Sequence, residues 1–178
     1  LKDARDKWLL SFEGLSSPRI AVMVGGSTRR RKFTAAMAQQ LGAGVSRMAA
    51  GCGGSLMVST SRRTGNAADT LVSSIDAPAQ IFQWGDPGEN PYAGFLACAD
   101  YVVVTGDSVS MCSEACAVPV PVQIFAPPAL ITPKHARCHA SLYEKGYARP
   151  FSGGLESHEH PCLNAADEIA AAIHERIF

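Results

Sequence analysis

The sequence is poor in the patterns that most directly announce a chemistry. Its six cysteines form no CxxC pair, which argues against a zinc ribbon or a dithiol redox centre. No GxGxxG dinucleotide fingerprint is present, no GK[ST] completes a P-loop, and no DxD carboxylate pair is offered to a divalent metal. Net charge is missing too. Sixteen basic residues balance sixteen acidic ones in 178, so the overall field gives no reason to expect nucleic acid or an acidic membrane as partner. No apolar run reaches membrane-spanning length and no signal peptide is visible.

What is present describes one globular domain. Apolar residues make up 47% and charged residues 18%, and the length suits a single sizeable core. Cys52, Cys98, Cys112, Cys116, Cys138 and Cys162 mostly sit among small or apolar neighbours, as reduced thiols of a cytoplasmic protein would. Cys112 and Cys116 have helical i, i+4 spacing, but no histidine lies near them in sequence, so core thiols are expected rather than a metal site. The chain opens on Leu1 with an amphipathic segment already under way. Residues 1–18 therefore read as a linker helix from a longer polypeptide, ending at the Ser16-Ser17-Pro18 break, and residues 19–178 as the folded domain.

Strand and helix patterns then alternate. Short apolar runs at residues 19–24, 55–59, 79–84, 101–104 and 120–125, with a further extended segment at 148–151, have the length and β-branched content of buried strands. Helical spacing occupies residues 32–51, 66–74, 92–98, the stretch after Ser108, 134–145 and 164–177, the last with Ile169, Ala172, Ile173 and Ile177 inward. Such alternation predicts an α/β fold, a Rossmann-like doubly wound parallel sheet of about six strands with helices on both faces. Ligands of such sheets gather beyond the carboxyl ends of the strands.

The polar loops fall at those ends. After the first strand Gly25-Gly26-Ser27-Thr28 makes a tight turn with two hydroxyls, followed by Arg29-Arg30-Arg31-Lys32 at the expected helix start, a phosphate cradle or, structurally, a turn before a solvated basic face. Ser61, Arg62 and Arg63 repeat the theme after the second strand. Trp84, after the third, reads either as core or as a platform for a base. After the fourth, Gly106-Asp107-Ser108-Val109-Ser110-Met111 leads into a helix capped by Ser108 or Ser110, with Glu114 one turn in. That glutamate would either complement the helix dipole or accept hydrogen bonds from vicinal hydroxyls. Hydroxyls, arginines and one carboxylate together suit a nucleoside diphosphate. His158-Glu159-His160 reads as a solvated loop more readily than as a metal site.

Four motifs in order now become specific: Gly25-Gly26-Ser27-Thr28-Arg29-Arg30, Ser59-Thr60-Ser61-Arg62-Arg63-Thr64, Asn90-Pro91-Tyr92, and Thr105-Gly106-Asp107-Ser108-Val109-Ser110-Met111 with Ser113-Glu114-Ala115. The chain resembles a bacterial member of the mitochondrial-fission elongated-mitochondria family, over its carboxyl-terminal half. More distantly it is similar to the donor-binding domain of GT-B glycosyltransferases. That resemblance implies a nucleotide-diphosphate sugar, UDP-type, as donor substrate, with no separate cofactor and no metal. It implies diphosphate contacts at Gly25, Gly26 and Ser27 and a ribose on Glu114. The residues themselves add Thr28, Arg29, Ser61, Arg62, Gly106, Asp107, Ser108, Val109, Ser110 and Met111 to the expected nucleotide-sugar site, with a base beside Trp84. The resemblance further implies that an amino-terminal acceptor domain supplies the catalytic base, and leaves open a peripheral association with the inner face of a membrane. Two other readings stand beside it: a non-enzymatic scaffold, as the fission role of the plant relative implies, and an NADP-dependent sugar-modifying enzyme whose Arg62 and Arg63 meet a 2′-phosphate.

Overall fold

The computed structural model describes residues 2–164. Six strands form one parallel sheet: β1 (Arg19–Val24), β2 (Ser55–Thr60), β3 (Ala79–Phe82), β4 (Tyr101–Thr105), β5 (Val122–Phe125) and β6 (Arg149–Pro150), in spatial order β3-β2-β1-β4-β5-β6. Between them run α2 (Ala35–Cys52), α3 (Ala67–Ser73), α4 (Tyr92–Cys98), α5 (Val109–Cys116) and α6 (Pro133–Glu144), with α1 (Lys2–Trp8) and a 3₁₀ turn (Leu9–Phe12) ahead of β1. The expected doubly wound α/β fold is thus observed. Residues 165–178, where the sequence predicts a last helix with Ile169, Ala172, Ile173 and Ile177, lie outside the described residues.

Alternate residues of each strand feed opposite faces, because the side-chain period of a strand is two. Ala21, Met23, Met57, Val102, Val104, Val122 and Ile124 join one core with Phe95 and Leu96 of α4 and Cys112, Ala115 and Cys116 of α5. Ile20, Val22, Leu56, Val58 and Val103 join the other, beneath Leu41, Val45 and Met48 of α2 and Leu71 of α3. Burial on both sides explains why β1, β2 and β4 are continuous apolar runs.

Where the expected boundaries move, a named group moves them. Helix α2 starts three residues late because Thr34 is its cap, its hydroxyl accepting from Met37 N at 3.3 Å. The basic run therefore lies in the preceding loop and not on a helix start. Strand β3 stops at Phe82 because the Gln83 amide donates to Asp86 Oδ2 at 2.7 Å and opens a turn. Pro121, which has no N–H for the ladder, delays β5 to Val122.

Residues 2–15 are not a free tether, since they dock on the body of the domain. Trp8 stacks on Phe12 at 5.9 Å, and Phe12 meets Phe95 of α4 at 5.3 Å. Gly94 lets α4 approach, for a Cβ there would stand 2.4 Å from Trp8 Cγ. Phe12 is fully buried, so Phe12→Ala should cost about 3–5 kcal/mol of stability by denaturant titration. A loss below about 1 kcal/mol would mean that this segment is a detachable tail.

Candidate functional site

Strand β1 pairs with β2 on one side and β4 on the other. Its successor helix α2 packs on one face of the sheet and α5, after β4, on the opposite one. The chain therefore diverges at the carboxyl ends of β1 and β4, and the crevice left there is the switch point of the sheet. Both glycine-bearing corners meet at it.

They are bolted together. The Gly25 amide donates to Thr105 Oγ1 at 2.7 Å and the Gly26 amide to Asp107 Oδ2 at 2.9 Å. Asp107 is buried, and its carboxylate also pairs with Arg63 Nη1 at 2.7 Å. Ser61 Oγ and Thr64 Oγ1 each donate to the Gly25 carbonyl at 2.6 Å, and the Ser27 amide donates to Arg63 O at 2.8 Å. Glycine is required twice. A Cβ on Gly25 would lie 2.4 Å from Asp107 Oδ2, and Gly26 has φ 145° with its Cβ position 2.2 Å from Arg63 O.

Several residues expected to face a phosphate are thus spent on the loops themselves. Ser61 and Asp107 hold the corner, and Gly25 and Gly26 supply amides to it. The Ser27 hydroxyl accepts from Phe33 N at 3.1 Å, and Thr28 closes a turn by accepting from Arg31 N at 3.2 Å, each keeping its own O–H proton as a donor. What remains open to a ligand is narrower. Arg29, Arg30 and Lys32 in the loop after β1 and Arg62 in the loop after β2 are exposed. Ser108 caps α5, accepting from Met111 N at 3.4 Å, with Ser110 Oγ 3.2 Å from its hydroxyl. The first-turn amides of Val109 and Ser110 have no intrahelical acceptor and carry the positive end of the helix dipole. Gly106 is forced small by His139, whose Cε1 would lie 2.5 Å from a Cβ there.

Glu114 is exposed one turn further along α5, and Tyr92 donates its phenol proton to Oε2 at 2.6 Å. Burial, and then the Glu114 carboxylate, push that phenol above its usual range, so it remains a donor. Trp84 is 61% exposed, which removes it from the core. Its amide donates to Thr60 Oγ1 at 2.9 Å, and its side chain borders a cleft of about 110 Å³ shared with Ser59, Thr60, Tyr92 and Met111. Thr64, Thr105 and Tyr92 are thus parts of the site that residue type alone did not single out, although all three lie inside the motifs, and Arg63, read with Arg62 as a basic pair, is the one that turns inward.

The remaining histidines and cysteines do not join it. His135 completes the cap of α6 with Thr132, His160 lies 2.8 Å from Val120 O, and His174 is outside the described residues. The six cysteines are free thiols, and burial pushes that of Cys116 up to about 12. Among the described residues no group of three His, Cys, Asp or Glu is placed to hold a metal ion, and no helix is long and apolar enough to cross a membrane.

Six parallel strands in this order, with the corners on adjacent strands, define a Rossmann-like domain. Methanocaldococcus jannaschii UDP-GlcNAc 2-epimerase, in a structure with UDP-GlcNAc and UDP, shares the fold at TM-score 0.59 and 14% identity over 98% of this chain and 51% of its own. Residues 1–177 match the family described as Mitochondrial fission ELM1, and the chain belongs to that family. It is 29% identical to the Arabidopsis thaliana mitochondrial fission protein ELM1 over 99% of this chain, and 32% identical to an uncharacterized Rickettsia prowazekii protein over 86%. The chain spans 42% and 45% of those two relatives.

Two measurements test the corner. Asp107→Ala leaves the buried Gly26 amide and the partly exposed Arg63 guanidinium without their acceptor and should cost about 1–3 kcal/mol. A double-mutant cycle with Arg63→Met should return a coupling of about 0.5–3 kcal/mol, and additive losses would show that the pair does not join the loops. Separately, burial lowers His139 below its ordinary 6.5. The unfolded chain then takes up the proton first, so stability should be full above about pH 6.5 and fall as the pH drops through the window below it. A flat denaturation midpoint from pH 7 to 5, once His139→Gln is compared, would show no such linkage.

Proposed function

We propose that this chain is the nucleotide-diphosphate-sugar-binding domain of a GT-B-type glycosyltransferase. The observation carrying the reading is the meeting of the Gly25-Gly26 and Gly106-Ser108 corners at one crevice, with Glu114 exposed beside it. The first-turn amides of α5 and the guanidinium groups of Arg29 and Arg62 face a diphosphate, Glu114 accepts from ribose hydroxyls, and Trp84 lies against the base. Chemistry on this side is electrostatic: fixed dipoles and cations stabilise the charge that develops on the departing diphosphate. Acceptor binding and its general base belong to an amino-terminal domain of the whole protein.

Calorimetry should give saturable binding of UDP by the chain, weakened at least tenfold in Glu114→Ala, a loss of about 1.4 kcal/mol or more. Absence of heat across UDP, ADP, GDP and CDP would overturn the reading. Membership of a fission family favours a second one, a scaffold that keeps the fold and uses its surface. In that case Ser108→Ala and Glu114→Ala leave cellular function intact, while charge reversal on exposed helix faces abolishes it.

A further inference from the structure

The exposed carboxylate of a lone glutamate on a helix has many rotamers, yet Glu114 is held in one. Tyr92 is what holds it. The phenol donates to Oε2 at 2.6 Å, a charge-assisted bond of the stronger kind, and leaves Oε1 as the free acceptor.

Tyr92 is in turn fixed from behind. It is the first residue of α4, where the Asn90 side chain accepts its amide at 3.0 Å and Pro91 is buried ahead of it. The same short helix is clamped at Gly94 by Trp8 and at Phe95 by Phe12. A chain of contacts therefore runs from residues 2–12 through α4 to the exposed carboxylate of Glu114.

We propose that Tyr92 is a positioning residue that makes the site selective for ribonucleotides over 2′-deoxyribonucleotides. This rests on the nucleotide-sugar reading above. With Oε2 engaged by the phenol, the carboxylate presents Oε1 in a fixed direction, and two neighbouring ribose hydroxyls donate to it as a pair. A 2′-deoxyribose offers one hydroxyl and leaves part of that acceptor unmet. Freed from Tyr92, Glu114 spreads over several rotamers, most of which reach a single hydroxyl, so ribose and 2′-deoxyribose are then met by one hydrogen bond each and the advantage of the second hydroxyl shrinks. The ligand class is accordingly a ribonucleoside diphosphate carrying a sugar.

The test is calorimetric titration of the 178-residue chain and its Tyr92→Phe and Glu114→Ala variants with UDP, ADP, GDP and CDP, and with the 2′-deoxy counterpart of the tightest binder. The wild type should prefer the ribonucleotide by roughly tenfold or more, equivalent to about 1.4 kcal/mol. Glu114→Ala should remove the preference, and Tyr92→Phe should cut it at least threefold while the melting temperature stays within a few degrees. The ratio between the two nucleotides is the decisive reading, because a merely structural loss weakens both alike. An unchanged ratio in Tyr92→Phe overturns the proposal and leaves the nucleotide-sugar reading intact. Equal binding of both nucleotides by the wild type does the same, whereas no binding of any nucleotide overturns both.

Discussion

One buried carboxylate organises this domain. Asp107 sits at the end of β4 with its side chain fully enclosed, and its Oδ2 takes both the Gly26 amide and the Arg63 guanidinium. Three corners, after β1, β2 and β4, are thereby tied to a single atom. The pair is not a large source of stability. Arg63 is 36% exposed, and moving a carboxylate out of water is repaid only when its partners are well placed. Its consequence is geometric: remove the charge and the Gly-Gly turn loses the acceptor that fixes its direction. The glycines are the other half of the same constraint, since the carboxylate occupies the space where a Gly25 side chain would be.

The two faces of the sheet divide the remaining tasks. On one, α2 and α3 bury the apolar surface of β1 and β2 and carry the basic loop at their entrance. On the other, α4 and α5 bring Tyr92 and Glu114 together, and the aromatic stack from Trp8 to Phe95 backs α4. A helix of seven residues is marginal on its own, so its order comes from packing. That places the first dozen residues, by sequence a linker, in structural contact with the element that orients the acid.

How much of this was legible follows from which interactions are local. Strand runs, the Ser108 cap and the doubly wound order are written in nearest-neighbour patterns, and they appear as expected. The choice of Arg62 over Arg63 illustrates what is not. Adjacent arginines are equivalent in sequence, and only the position of Asp107, 44 residues on, decides which one turns inward. Ser61 and Thr64 present the same problem, because a hydroxyl near a phosphate loop and one bonded to a carbonyl inside it have the same signature. Trp84 was ambiguous because large aromatic residues are usually buried, and nothing local reveals that β3 has ended two residues earlier.

The internal bonding of the loops also bears on how an anion would be met. Ser27, Thr28, Ser61, Thr64 and Asp107 are engaged with backbone groups before any ligand arrives. A ligand on the proposed reading therefore gains little from Ser61, Thr64 and Asp107, while the Ser27 and Thr28 hydroxyls, which only accept within the loop, keep a proton to donate. Its other contacts would fall on the first amides of α5 and on solvent-facing arginines. The first kind is preorganised and needs no rearrangement on binding. The second is screened by salt over about 8 Å at physiological ionic strength. On the proposed nucleotide-sugar reading, recognition would combine a rigid dipolar centre set by the fold with a salt-sensitive basic rim, and the proposed ribose contact would lie apart from both, where Tyr92 meets Glu114.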